Sequence, residues 1–412
     1  MNTDDKDFLL EENEEENEEF YDFRYNSLKK KGAVISLILI WLFCLIIFGV
    51  SGLHLLSQDL KFSESENRVL SQFPKLSISS VVDGSFMKGF ETYLTDQFPL
   101  RDNLISVKTF AGRLVGKNEE NGVFIGKNGY LFDSQTPLDK KQVKDISKAV
   151  LAFKEKHQDF KTAFVLVPNS TYVYSEYLPK YLELDNHRQL ISYVHKQIND
   201  DSILWPAASK LLKAQAENTQ LYYKTDHHWT TRAAYILFKD LALAWGLEND
   251  EKAIDDKFSF YEVSDSFEGT LASTSGVHDS KDKIEICVPE KSEGTYVVNF
   301  ESSGDKTASL FFKDKLKSRN HYEVFLGGNY DKVIISTVSS SKRSLLLIKD
   351  SYANCMIPML TPYFSKIVVI DPRYLTDSLD SIVKENDFSH MMYLYNVNTL
   401  LEDSSLASCL GS

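Results

Sequence analysis

The longest apolar stretch lies near the N-terminus, where residues 33–56 contain no Asp, Glu, Lys or Arg. As a helix this run measures about 36 Å, enough to cross a hydrocarbon core with some tilt. A signal peptide would have a shorter apolar region of about 7–15 residues closed by small residues. Leu53, His54, Leu55 and Leu56 close this one instead. The pattern therefore predicts a transmembrane helix over residues 32–56, followed by an extended stalk over 57–85.

Beyond the stalk the periodicity changes. Phe86, Phe90, Tyr93, Leu94 and Phe98 recur near helical spacing, and a second helix is expected over 101–114. Residues 123–132 read as a β-hairpin turning on Gly126-Lys-Asn-Gly129. From there helical stretches (139–158, 186–199, 231–245) alternate with short apolar runs (162–168, 221–223, 333–337, 344–349, 367–373, 391–396). A further helix is expected from Cys355, interrupted near Pro358. Fully apolar strands alternating with helices predict an α/β domain over residues 86–412, its parallel sheet covered by helices on both faces. Residues 255–330, richer in Ser, Thr, Gly and aromatics, read as a β-rich insertion.

Charge adds an orientation. The formal net charge of −13 is concentrated at the N-terminus, where residues 1–22 hold eleven acidic groups and one lysine. Such a segment has too little apolar surface to offset its ordering entropy, so residues 1–31 are expected as a disordered tail. Without it the chain is only mildly acidic, which argues against nucleic-acid binding. Lys29, Lys30 and Lys31 precede the span directly. The positive-inside rule then keeps the N-terminus cytoplasmic and the main domain outside. Of four cysteines, Cys44 is in the span, and the other three show no metal-like spacing.

In open parallel sheets, ligands bind beyond the carboxyl ends of the strands. Three polar groupings are expected there: Ser351, Asp226 to His228, and Arg373. A serine at a strand-to-helix turn presents an exposed hydroxyl beside its own backbone N–H, which suits a nucleophile with a built-in oxyanion donor. It needs a base, and a histidine oriented by a carboxylate supplies one. Asp226 and His228 offer that pair from one loop. Helix capping is the alternative for Ser351, Asp350 and Asp226. The adjacent histidines also suit a metal, although residues 162–168 bring no further aspartates. Trp229 reads as core or pocket wall.

The block Lys224-Thr-Asp-His-His-Trp-Thr230 resembles the signature of the DHHW family of bacterial membrane-anchored proteins. Glu66-Asn-Arg68, Asp96-Gln-Phe-Pro-Leu-Arg101, Gly126-Lys-Asn-Gly-Tyr-Leu131, Phe267-Glu-Gly-Thr-Leu271, Phe325-Leu-Gly-Gly-Asn329 and Lys349-Asp-Ser-Tyr-Ala-Asn354 agree with it. Similar Asp-x-His-Trp and Ser-Tyr elements occur in alginate O-acetyltransferases, whose domains resemble SGNH hydrolases. The resemblance implies an SGNH-hydrolase-like, flavodoxin-like fold. It makes Ser351 the nucleophile, His228 the base and Asp226 its partner. Because the Asp/His pair precedes the serine, the topology resembles a circular permutant, cut after the family's third strand. Asn396 then falls at an oxyanion position. Arg373 falls where the family has a glycine, and Tyr352 is a further oxyanion or substrate-binding candidate.

The function implied is serine-dependent acyl chemistry, O-acetylation of a cell-surface polysaccharide or the reverse esterase reaction, with no cofactor or metal. A transferase outside the cytoplasm needs an exported acyl group, so the resemblance also implies a membrane-bound O-acyltransferase partner. The alternative is a non-catalytic carbohydrate-binding or scaffold subunit.

Overall fold

The structure, a computed structural model, describes residues 3–63, 68–180, 182, 187–290 and 296–411. Its contacts divide it into two compact units, 1–62 with 69–101, and 63–68 with 102–412.

The first unit is dominated by one helix, Thr3–Leu56. Its stretch Lys29–Leu56 is long and apolar enough to cross a membrane, and none of that segment is buried within the chain. The acidic tail expected to be disordered continues this helix from Thr3. No Gly or Pro precedes Gly32, and extending an existing helix avoids the cost of nucleation; Met1 and Asn2 lie outside the described residues. The domain boundary expected at 85/86 falls at 101/102. Helix Ser85–Asp96 belongs with the preceding segment, because Phe73 meets Phe86, Phe90 and Tyr93 edge-on. The Asp96 carboxylate accepts from the Ser71 N–H at 2.8 Å, and Gln97 exchanges hydrogen bonds with the Leu60 backbone. That clasp accounts for the polar start of the 96–101 motif. Glu66 and Asn67 of the 66–68 motif lie outside the described residues.

The second unit is built on one sheet. Its strands are β1 (Lys161–Val167), β2 (Ile203–Leu204), β3 (Tyr296–Phe300), β4 (Asp305–Thr307), β5 (Lys332–Thr337), β6 (Ser344–Lys349), β7 (Lys366–Ile370) and β8 (His390–Asn396), in the spatial order β4-β3-β5-β7-β6-β8-β1-β2. The segment β7-β6-β8-β1-β2 is parallel throughout. Counted from β6, it has the flavodoxin-like order 2-1-3-4-5. The chain enters this order at its fourth strand, as the permuted reading expects.

The apolar strands are buried on both faces because alternate side chains enter two cores. Leu345 and Leu347 join Val165, Met392 and Val369 on one side, under helix Thr231–Ala244. Leu346 and Ile348 join Phe164, Met391 and Val368 on the other, under helix Lys140–Lys156. That helix starts where Asp139 accepts from the Lys141 and Gln142 N–H groups. It ends where the Lys154 ammonium donates to the Gln158 and Phe160 carbonyls.

Two expectations are corrected and a third is refined. Residues 221–223 are no sheet strand: among the described residues Tyr222 bridges Trp229 alone, because the chain folds back and bonds Tyr223 to His228 and Leu221 to Thr230. The run 333–337 lies in the sheet but antiparallel, as β5 between β3 and β7. The region 255–330 splits, with Phe258–Phe267 pairing Asp282–Pro289 antiparallel, while β3 and β4 extend the main sheet. None of the four cysteines is in a disulfide, and Cys287, Cys355 and Cys409 are buried.

At the start of β8, burial pushes the His390 imidazole down to about 4, with Lys161 and Arg343 adding to the effect. Unfolded, it would titrate near 6.5. As pH falls below about 6.5 the unfolded chain takes up a proton that the folded chain refuses until about 4, so this contribution is full above that window and is lost across it. Relative to His390→Leu, the wild-type chain is expected to lose about 2 kcal/mol of stability between pH 7 and pH 4.5. Denaturant unfolding of both proteins at the two pH values measures it. Parallel pH dependences would overturn the assignment.

Candidate active site

The loop over 221–230 is held from both sides. Its ends close on each other through Tyr223 N–H to the His228 carbonyl (3.2 Å) and Thr230 N–H to the Leu221 carbonyl (2.8 Å). Beneath it the buried Asp282 carboxylate accepts from the Lys224 N–H, the Thr225 N–H and hydroxyl, and the Gln220 amide, at 2.6–2.9 Å. A buried carboxylate with four donors is satisfied, so it pins the loop rather than destabilising it. Thr230 caps helix Thr231–Ala244, which leaves Asp226 free of that duty.

Asp226 turns back on its own loop. Its Oδ1 accepts from the His228 N–H (3.0 Å) and lies 2.6 Å from His228 Nδ1. Its Oδ2 accepts from the Thr270 N–H (2.9 Å) and hydroxyl (3.1 Å). Burial opposes the charge, but the two neighbouring imidazoles and these donors outweigh it and hold the carboxyl well below its ordinary range. Asp226 is therefore ionised and acts only as an acceptor. His228 must then donate from Nδ1, leaving the Nε2 lone pair for Ser351, whose Oγ lies 2.8 Å away.

Ser351 follows β6 and opens a 3₁₀ turn, Ser351–Cys355, that continues into helix Ile357–Leu360. The turn is capped by Asp350, which accepts from the Tyr352 N–H (2.9 Å) and the Asn396 N–H (2.8 Å). With the cap assigned to Asp350, the serine hydroxyl is available to His228. The Ser351 N–H has no protein acceptor among the described residues. The Tyr322 ring stacks on His228 at 3.7 Å and 13°, and its hydroxyl donates to the Ser351 carbonyl at 3.1 Å. Trp229 donates its indole N–H to the Tyr352 carbonyl (2.8 Å), and Tyr352 returns its hydroxyl to the His227 carbonyl. Trp229 is thus buried wall, as expected, and also a strut.

Ser351 opens on a cavity of about 380 Å³ that also contacts Tyr352, Arg373 and Asn396. The structure thus gathers every candidate residue, but not every one is free to act. The Asn396 amide already donates to Asn169 Oδ1 (2.8 Å) and the Val167 carbonyl (3.4 Å), while its oxygen caps the next helix at the Asn398 N–H. The Asn396 hydrogens are thus engaged at the ends of adjacent strands, the one to Val167 at the longer distance. The Tyr352 hydroxyl is committed likewise. Arg373 reaches the cavity while its Nε and Nη2 bond both oxygens of buried Asp371 (2.9 and 2.7 Å). As for a metal, the donor atoms of Asp226, His227 and His228 lie within 4.8 Å of one another, but Asp226 and His228 are bonded to each other.

Sequence reasoning did not single out Thr270, Tyr322, Asp282, Asn169 or Asn398 as site residues. For some a signal was present. Gly269 and Thr270 sit in the 267–271 motif, and a Cβ on Gly269 would come within 2.2 Å of the Asp226 Cβ, so only glycine lets that backbone approach. The 325–329 motif serves the same end of the sheet: Asn329 Oδ1 accepts from the Lys349 ammonium (3.0 Å) and the Asn354 amide (3.2 Å).

A 2-1-3-4-5 parallel sheet with a serine after its first strand, facing a histidine–aspartate loop, defines an SGNH-hydrolase-like domain. Comparison with known proteins agrees. Residues 123–318 match the family described as the SGNH hydrolase-like domain of acetyltransferase AlgX, and residues 66–159 match the DHHW protein family. The chain is thus related to DHHW proteins and to the SGNH-like domain of alginate O-acetyltransferases. It is 26% identical over 187 residues to the probable alginate O-acetylase AlgJ of Pseudomonas syringae pv. tomato, covering 43% of this chain and 47% of that one. The AlgJ of Pseudomonas putida is 23% identical over 181 residues, covering 42% and 47%. The chain spans about half the length of these curated relatives. A DHHW family protein from Eubacterium siraeum superposes with a TM-score of 0.58 at 20% identity, over 70% of this chain and 95% of that one. Bacillus cereus PatB1, in a structure with a sulfonyl adduct, gives 0.57 at 17% identity over 69% and 98%. These likenesses show the fold.

Gly269→Ala is expected to displace the Asp226 carboxylate and slow sulfonylation of Ser351 by a sulfonyl fluoride by about 10²-fold, the scale of an ångström-level misplacement. Intact-protein mass spectrometry over time measures it, and an unchanged rate would remove Gly269 from the site.

Proposed function

We propose that this protein is a membrane-anchored acyl-group enzyme that uses Ser351 as nucleophile, His228 as general base and Asp226 as the group that orients the imidazole. The observation that carries this reading is the continuous run from Asp226 Oδ1 to His228 Nδ1 (2.6 Å) and from His228 Nε2 to Ser351 Oγ (2.8 Å). The relationship to O-acetyltransferase domains supports acetyl as the acyl group.

In the first half-reaction Ser351 Oγ attacks the carbonyl carbon of an acetyl donor while its proton passes to His228 Nε2. The tetrahedral adduct collapses, the leaving oxygen takes that proton, and acetyl-Ser351 remains. In the second half-reaction a sugar hydroxyl gives its proton to His228 Nε2 and attacks the acetyl carbon; collapse returns the proton to Ser351 and releases the O-acetyl sugar. Water in place of the sugar yields acetate. The imidazolium formed in each half is stabilised by ionised Asp226. The Ser351 N–H and Arg373 are the donors proposed for the oxyanion, since the Asn396 and Tyr352 donors are committed elsewhere.

Helix Thr3–Leu56 supports the anchoring, and the lysines at 29–31 support an N-terminus in the cytoplasm with the enzyme domain outside. An acetyl donor must then reach the outer face, which is the role proposed for a membrane-bound O-acyltransferase partner. The acceptor proposed is a cell-surface polysaccharide.

Detergent-solubilised protein is expected to hydrolyse an aryl acetate, with Ser351→Ala and His228→Ala reducing the rate to background. Asp226→Asn is expected to lower kcat by about 10²–10⁴-fold, because it permits the wrong imidazole tautomer. Equal rates for wild type and Ser351→Ala would refute the reading.

A further inference from the structure

The charge of the cavity in front of Ser351 points to its saccharide: we infer that the site takes a sugar that is neutral or bears an ammonium, and discriminates against uronic acid polymers, an inference that rests on the serine-dependent reading above. Three carboxylates line the cavity, Asp133, Glu402 and Asp403. None has a Lys or Arg partner among the described residues. Glu402 accepts from the Thr136 hydroxyl, and Asp403 from the Ser405 N–H (2.8 Å) and hydroxyl (2.6 Å). Those donors are neutral, so they hold the carboxylates in place without cancelling their charge.

The cation at the cavity does not offset them. Arg373 is bonded through two nitrogens to Asp371. Asp371 is itself fully buried and also accepts from the buried Lys349 ammonium at 3.3 Å. Beneath them lies a fourth charge, Asp350, held by backbone N–H groups. Arg373 and Asp371 hold each other charged, while burial pulls the Lys349 ammonium down and pushes the Asp350 carboxyl up, so the group offers no surplus positive charge to face a substrate carboxylate. Burial, with His228 alongside, keeps the His227 imidazole below its ordinary range and so uncharged at neutral pH.

A uronate residue would therefore bring its carboxylate against those of Glu402 and Asp403, and against Asp133, whose carboxyl burial and Glu402 hold above its ordinary range, in a partly enclosed space where like charges repel more than in bulk water. Sugar hydroxyls meet no such penalty. They find acceptors in the carboxylates that line the cavity. An ammonium on the sugar would be attracted. The related alginate O-acetylases are named for a uronate polymer, so family resemblance alone would suggest the opposite substrate charge.

The test uses three β-1,4-linked oligosaccharides of one length, O-acetylated and differing in charge: glucose, glucosamine with free amines, and glucuronate. With the full-length protein in detergent at low ionic strength, kcat/KM for the glucose and glucosamine esters is expected to exceed that for the glucuronate ester by about tenfold or more. Added salt and the double variant Glu402→Gln, Asp403→Asn should each narrow that gap. Equal or faster turnover of the glucuronate ester, or a gap that the double variant leaves unchanged, overturns the inference. Saturation-transfer NMR on Ser351→Ala with the unesterified oligosaccharides reads the same ranking without turnover. If no ester is hydrolysed in a Ser351-dependent way yet the binding ranking holds, the charge inference stands and the catalytic reading falls. If the binding ranking fails while esters are hydrolysed, the reverse is true.

Discussion

The hydrogen bond between His228 and Ser351 joins two segments 123 residues apart, and most of the surrounding structure serves to hold it. One segment is a loop with no sheet strand beneath it; the other is a turn at the end of a strand buried along its whole length. They are cross-linked by the Trp229 indole to the Tyr352 carbonyl and by the Tyr352 hydroxyl to the His227 carbonyl. Tyr322 then packs flat on the imidazole and bonds the serine's own carbonyl. With polar and aromatic contacts on several sides, the imidazole has little rotational freedom, which suits the general base proposed for it.

Charge burial is the second constraint. Asp226, Asp282, Asp350, Asp371 and Lys349 are all within the interior. An isolated ion there would be prohibitively unstable, and removing one partner of a buried pair costs about 3–5 kcal/mol. Each of these groups has its partners: Asp282 four donors, Asp226 four, Asp350 two backbone N–H groups, and Asp371 both Arg373 and Lys349. The polar motifs scattered along the chain are largely this set of mutual obligations. Asn329, from one motif, receives Lys349 and Asn354 from another. Gly269, from a third, makes room for Asp226.

Permuting the chain does not disturb this arrangement, because the site depends on where strand ends lie in the sheet and not on the order in which they are made. β6 and β8 are neighbours, so the turn after one and the helix after the other share Asp350. β8 and β1 are neighbours, so Asn396 and Asn169 meet across their ends.

Much of this was legible in the residues alone. Fully apolar runs announced strands buried on both faces, helical periodicity placed the covering helices, and the Asp-x-His loop and the serine after a strand marked the proposed site. These features depend on local spacing, which a sequence displays directly. The direction of β5, the absence of a strand at 221–223 and the commitment of Asn396 were decided only by the tertiary structure. An apolar run of five residues pairs equally well in either direction, and an amide donor is free or engaged according to what packs beside it. The charge of the cavity belongs to the same class: Asp133, Glu402 and Asp403 are remote from one another or unremarkable in the sequence, and they become one electrostatic wall only where folding brings their carboxylates around Ser351 while pairing Arg373 elsewhere.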